Sequence, residues 1–288
     1  MKLTRRAPVV APITRPAEPI GSREGILYLL REAARIEATE IHIKTPGPVT
    51  VRVDGTLSAF GPKQIGPGDA RDAALALAEL AGREGALQAG SELEFSFGLA
   101  GVGRFHACLY HQRGSLAAVV RRVALSPPQL TALDAPADTF GKLRPGKLVA
   151  LVGNARHEWL HALVNEWNQT RDGYIVVIER PLLYLHRDAF SGIAQREVGQ
   201  DVRDPATGIR LAARLEADLI ACSDLGDLDG IEAAVGAAER GRRLLVALEA
   251  PAADDIAGWV AQRFPTGVRD DLHRRLSAVL TPVSCARG

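Results

Sequence analysis

Two regimes of hydrophobic patterning divide the chain. Between about residues 22 and 123, apolar residues either alternate with polar ones or recur at helical spacing. Ile26, Leu29, Leu30, Ala33 and Ile36 fall on one helical face, behind Ser22 as a candidate cap. Residues 40–43 and 49–53 alternate as half-buried strands do, and Asp54-Gly55 predicts a tight turn after them. An Ala/Leu-rich stretch predicts a helix over 70–89 that ends near Gly90. Further strands are predicted over 93–97, 104–110 and 116–123. Helices combined with a mostly antiparallel sheet make this an α+β domain.

Beyond residue 148 the apolar positions run together. Residues 148–152, 175–178, 219–221 and 244–248 are continuous apolar runs, the pattern of strands covered on both faces. Helical stretches are predicted over 158–170, 207–215, 228–240 and 255–263. That alternation predicts a parallel sheet with crossover helices, an α/β domain. Pro127, Pro128 and Pro136 mark the stretch between the two regimes as a linker. Residues 1–20, with Pro8, Pro12, Pro16 and Pro19 among basic and small residues, show no hydrophobic period and read as a tail. The expected organisation is therefore a tail over 1–20, a first domain over 21–125, a linker over 126–141 and a second domain over 142–288.

Composition narrows the function classes. The formal net charge of +1 over 288 residues gives no electrostatic reason to expect nucleic acid or a membrane surface as partner. No apolar run reaches membrane-spanning length, and the basic N-terminal stretch lacks the apolar core of a secretion signal. Cys108, Cys222 and Cys285 are an odd, scattered set, expected as reduced thiols in a cytosolic protein. The lysines are Lys2, Lys44, Lys63, Lys142 and Lys147, with none after that.

Open parallel sheets bind ligands beyond the carboxyl ends of their strands. Here those ends are Gly153-Asn154-Ala155-Arg156, Glu179-Arg180, Ser223-Asp224 and Glu249, a polar set against an apolar sheet. Several segments around them make the chain resemble a known family. These are Ala38-Thr39-Glu40-Ile41-His42-Ile43, Val51-Arg52-Val53-Asp54-Gly55, Gly101-Val102-Gly103-Arg104-Phe105, Gln112-Arg113-Gly114-Ser115, Ile178-Glu179-Arg180-Pro181, Gln195-Arg196-Glu197-Val198-Gly199 and Phe264-Pro265. In this order, from about Glu40 to Val279, they resemble the hexameric motor ATPases of type IV pili and type II secretion, above all the pilus-retraction (twitching motility) branch. The family's further C-terminal helices find no match in this sequence. The resemblance implies a PAS-like α+β N-terminal domain followed by a RecA-like α/β domain of the P-loop NTPase fold.

The departures from the family pattern fall where its chemistry lies. The family's first strand of the second domain leads into GxxxxGK[ST], whose backbone N–H groups wrap phosphates while Lys and Ser/Thr hold phosphate and Mg²⁺. Gly153 is instead followed by Asn154-Ala155-Arg156-His157-Glu158, about three residues short and without second glycine, lysine or hydroxyl. Arg156 is a bulky planar substitute for a compact ammonium. The family's acidic element keeps Glu179 but has Arg180 and Leu183 at its later acid positions. Asp224 stands at the Walker B-type glutamate, and Arg242 and Glu249 stand at the two histidine-box positions. The resemblance thus implies an inactive paralogue, a pseudo-ATPase with a degenerate nucleotide site at Gly153, Asn154, Arg156, Glu179, Arg180, Asp224 and Glu249. No catalytic residue and no cofactor are expected, with ATP and Mg²⁺ required only if the alternative of an atypical active ATPase holds.

Arg104, Arg113 and Arg121 match first-domain arginines that reach a neighbouring subunit's nucleotide in the family, so a trans-acting role stands beside a plainer role in salt bridges. His157-Glu158-Trp159-Leu160-His161 also matches HExxH, which on a helix presents two histidines to zinc with glutamate as general base. A zinc hydrolase is accordingly a third reading, although no metal is expected. Trp159, Trp167 and Trp259 read as packing anchors. By resemblance the partners are active pilus or secretion motor ATPases and the inner-membrane platform protein, in a homo- or hetero-oligomer. The expected location is cytoplasmic and peripheral at the inner membrane through partners.

Overall fold

The computed structural model describes residues 19–60, 64–87, 91–133, 135, 138–251 and 255–285. The tail expected over 1–20 lies, but for its last two residues, outside them. The chain divides into two compact units, Met1–Ala124 and Leu125–Gly288.

The first unit contains α1 (Arg23–Arg35), β1 (Glu40–Ile43), β2 (Thr50–Val53), β3 (Thr56–Ala59), α2 (Pro67–Leu80), β4 (Leu93–Leu99), β5 (Gly103–Gln112) and β6 (Ser115–Arg122). Ser22 caps α1, its side chain accepting from the Gly25 amide at 3.0 Å. The strands form one antiparallel sheet in the order β3-β2-β1-β6-β5-β4. Asp54 and Gly55, with φ of +46° and +77°, make the two-residue turn that pairs Val53 with Thr56. That turn also opens β3, a short strand that the alternation pattern does not reveal. One sheet face carries Ile41, Val51, Phe105, Ala107 and Val120, and these share a buried cluster with Ile26 and Leu30 of α1 and Ala73 and Leu77 of α2. Helix α2 is shorter than its Ala/Leu content predicts. Gly82 adopts φ +64°, and the Arg83 amide donates back to Ala78 O at 2.8 Å, so a left-handed cap ends the helix at Leu80.

The second unit contains β7 (Leu148–Val152), α3 (Arg156–Thr170), β8 (Gly173–Glu179), β9 (Ser191–Glu197), α4 (Pro205–Arg214), β10 (Leu219–Cys222), α5 (Leu228–Glu239), β11 (Leu244–Leu248), α6 (Ile256–Ala261), α7 (Thr266–Val279) and β12 (Leu280–Ser284). All six strands pair in parallel, in the order β12-β7-β11-β10-β8-β9. The four predicted apolar strands are its buried centre. One face packs against α4 to α7, the other against α3. Leu130, Leu133 and Phe140 of the predicted linker also pack against the α3-side core, so this stretch belongs to the second unit. Trp159 and Trp167 are buried there as anchors.

Both edge strands escaped the sequence pattern. β12 carries Pro282, which an edge tolerates. β9 reads Ser191-Gly192-Ile193-Ala194-Gln195-Arg196-Glu197 and has no apolar run. Asp188 accepts the Ile193 amide at 3.0 Å and Asp201 accepts the Glu197 amide at 2.9 Å. Side chains thus fill edge positions that a further strand would otherwise take.

Candidate functional site

Strand register carries the expected site to the carboxyl end of the parallel sheet. Val152 pairs with Leu248, Val246 with Cys222, and Cys222 with Ile178, so Gly153, Glu249, Asp224 and Arg180 all follow strands that end together. Arg242 precedes β11 and Glu249 follows it, so the two histidine-box positions lie at opposite ends of that strand.

The connection from β7 to α3 is three residues long: Gly153, Asn154 and Ala155. It is closed onto the end of β12. The Cys285 amide donates to Val152 O at 2.6 Å, and the Ala155 amide donates to Cys285 O at 3.3 Å. Gly153 has φ +121°, and a Cβ there would meet Cys285 O at 2.3 Å. Arg156 turns back, its Nη1 donating to Gly153 O at 3.0 Å. A phosphate cradle needs converging, uncommitted N–H groups. Here one such amide is engaged by Cys285, and the guanidinium at the helix start closes its own loop. Lys147, the last lysine in the chain, precedes β7 and donates to Ala278 O at 3.0 Å. This connection carries no lysine and no hydroxyl side chain of its own.

The remaining strand-end residues are dispersed. Asp224 is exposed, and its Oδ1 accepts from the Gly226 amide at 2.9 Å. The exposed Arg180 reaches toward Gly199. Glu249 lines a shallow cleft of about 450 Å³ with Trp259, Gln262 and Arg263.

Glu179 differs from these, being wholly buried at the end of β8. Its Oε1 lies 2.8 Å from His161 Nε2, and His161 Nδ1 lies 2.9 Å from His186 Nε2. The Tyr184 ring covers His161 at 4.6 Å between centroids. Burial first, then the neighbouring His161, pushes the His186 imidazole down to about 3. Burial, followed by the Arg156 charge, also lowers His157. The HExxH reading requires His157 and His161 to offer ring nitrogens to one ion. Both nitrogens of His161 are instead engaged by protein groups. Among the described residues, no group of three or more His, Cys, Asp or Glu side chains is placed to hold a metal ion. Sequence reasoning identified Glu179 and His161 separately and missed His186 and Tyr184, which carry no local motif.

In the first unit, Arg104 and Arg121 lie near each other on paired strands, whereas Arg113 sits in the turn at the far tip of the same hairpin. Glu40 receives Arg52 Nε at 2.8 Å, His42 Nε2 at 3.1 Å and Arg121 Nε at 3.2 Å. Burial pushes the Glu40 carboxyl up, but the hydrogen bonds from Arg52 and His42 and the Arg121 charge outweigh it and hold it below its usual range.

No family profile matches the chain. It is 28% identical over 251 residues to an uncharacterised protein, YggR, of Escherichia coli, covering 85% of this chain and 75% of that one. It is 25% identical over 261 residues to the type IV pilus ATPase PilU of Pseudomonas aeruginosa, covering 88% of this chain and 68% of PilU. Among solved structures, it is similar to a crystal structure of the pilus retraction motor PilT with bound ADP. The TM-score is 0.76 at 28% identity, covering 90% of this chain and 77% of that one.

Proposed function

Because the chain belongs to the family of type IV pilus retraction and secretion ATPases, we propose that it is a catalytically inactive member, a pseudo-ATPase that works as an assembly or regulatory subunit. The observation that carries this reading is the connection from β7 to α3. It is only three residues long, its Ala155 amide is tied to Cys285, and no lysine follows Lys147 in the sequence. The first unit, with two helices on one face of an antiparallel sheet, is read as PAS-like, and the second as RecA-like.

The proposed partners are active motor ATPases of the same family, in a homo- or hetero-hexameric ring, and the inner-membrane platform protein. Among the described residues no helix is long and apolar enough to cross a membrane. By likeness to pilus and secretion motors, membrane association is proposed to run through partners, with the chain itself cytoplasmic. The Glu40 cluster supports an intradomain role for Arg121, and Arg113, exposed at the hairpin tip, is placed where it could reach a neighbour.

Calorimetry with MgATP, at protein concentrations able to detect millimolar affinity, tests the inactive reading. No heat is expected. Micromolar binding would replace this reading with that of an atypical ATPase, in which Asp224→Ala should abolish turnover. Co-purification of the chain with an active motor ATPase from the same cell is expected, and its absence for every such motor would end the partnership proposal.

A further inference from the structure

Three ionisable side chains from three parts of the second unit form one hydrogen-bonded chain: His161 of α3, Glu179 at the end of β8, and His186 of the segment that leads to β9. A neutral His161 satisfies both neighbours in one tautomer. Nε2–H donates to Glu179, and Nδ1 accepts Nε2–H from His186. His186 Nδ1 is then free of a proton, in keeping with its burial without a hydrogen-bond partner. Glu179 Oε2 is likewise buried without a partner. The hydrogen bond from His161 is thus the one that Glu179 receives through its side chain among the described residues.

The segment that carries His186 is fastened at further points. Gln195 of β9 accepts the His186 amide at 2.8 Å and donates its Nε2 to Tyr184 O at 2.7 Å. Asn168 of α3 donates to Arg187 O at 2.8 Å and accepts the Ala189 amide at 3.1 Å. His161 and Asn168 are two helical turns apart and share a face, so α3 holds the segment along its length.

We propose that the His161–Glu179–His186 chain is a built-in lock that stands in for a ligand, pairing the strand-end carboxylate with the protein's own helix and fastening residues 184–190 to α3 whether or not nucleotide is present. The proposal deepens the inactive reading and rests on it. A site that responds to nucleotide needs groups that change partners when the ligand arrives, because only a difference in interaction between two states moves the equilibrium. Here the carboxylate already has a buried donor. Releasing it would leave the buried Glu179 carboxylate and the buried His161 imidazole unpaired, a bias toward the state observed.

Hydrogen–deuterium exchange on the full chain, with and without millimolar MgATP, tests this. The hydrogen-bonded amides of this segment, those of His186, Ala189 and Phe190, are expected to be protected and unchanged by MgATP. His161→Ala should raise their exchange about tenfold or more while leaving the first unit unchanged, since the effect is local opening rather than global unfolding. Glu179→Gln keeps an acceptor for the His161 N–H and should retain most of the protection. If His161→Ala does not fold, ¹⁵N spectra of the wild-type imidazoles at pH 8 decide, with His161 expected as the Nε2–H tautomer. Unaltered exchange in folded His161→Ala, or an Nδ1–H or doubly protonated His161, would overturn the lock. MgATP binding with protection of 184–190 unchanged would instead overturn the inactive reading and leave the lock standing. MgATP binding that opens the segment would overturn both.

Discussion

Gly153 is the residue on which the end of the sheet turns. Its positive φ and the Cys285 carbonyl leave no room for a Cβ, and the obstacle is backbone rather than a flexible side chain. Gly153→Ala is therefore expected to cost about 2 kcal/mol or more, read as a lowered urea midpoint at constant slope. An unchanged midpoint would mean that β12 yields easily and the loop is not pinned. Arg156 illustrates why a single substitution does not recreate a phosphate site. Its guanidinium closes onto Gly153 O, and a lysine there would still face a loop whose Ala155 amide is committed to Cys285. Arg156→Lys is expected to leave MgATP binding absent in calorimetry and to shift stability by less than about 1 kcal/mol, in the range of a partly exposed polar contact. Appearance of binding would show that the lysine alone was missing.

At the scale of elements, Asn168 does for the 184–190 segment what Gly153 does for the loop. Asn168→Ala removes the donor to the Arg187 carbonyl and one of two acceptors of the Ala189 amide, which also donates to Ser191 O at 3.3 Å, and is expected to cost about 1 kcal/mol in the denaturation of the second unit. A cost near zero would mean that water replaces the side chain freely. The sequence signals the four central strands because burial on both faces demands continuous apolar runs. It hides β9 because its edge amides are met by Asp188 and Asp201 rather than by apolar packing. It overextends α2 because Ala content speaks for helix while Gly82 ends it. The candidate site divides in the same way. The short loop and the strand-end acids are local and readable. The contacts of His161 are not, because its partners lie 18 and 25 residues away and only the packing of α3 across the sheet brings them near. The HExxH spacing drew attention to His161 through a local pattern, while its structural role is set by that tertiary contact.

For the whole molecule, two half-buried histidines with lowered proton affinity couple stability to pH. His186 titrates near 3 in the folded chain against about 6.5 when unfolded, and His157 is shifted in the same direction. Between those values the unfolded chain binds a proton that the folded chain refuses, so stability is full above about pH 7 and falls as pH drops through 6.5 toward 3, by up to about 1.4 kcal/mol per pH unit for one histidine. The depressed carboxyls of Glu40 and Asp204, the latter near 2, act in the same direction but only in the acid range below about pH 4.5. The window from about pH 5 to 6.5 therefore belongs to the histidines. All three tryptophans, Trp159, Trp167 and Trp259, lie in the second unit, so their fluorescence during urea unfolding reports that unit without the His42–Glu40 pair of the first. The urea midpoint is expected to fall steadily from pH 6.5 to 5, and His186→Gln, which keeps a donor for His161 Nδ1, is expected to flatten the slope. If the slope survives that change intact, His186 is not the neutral group that sets it in the folded chain.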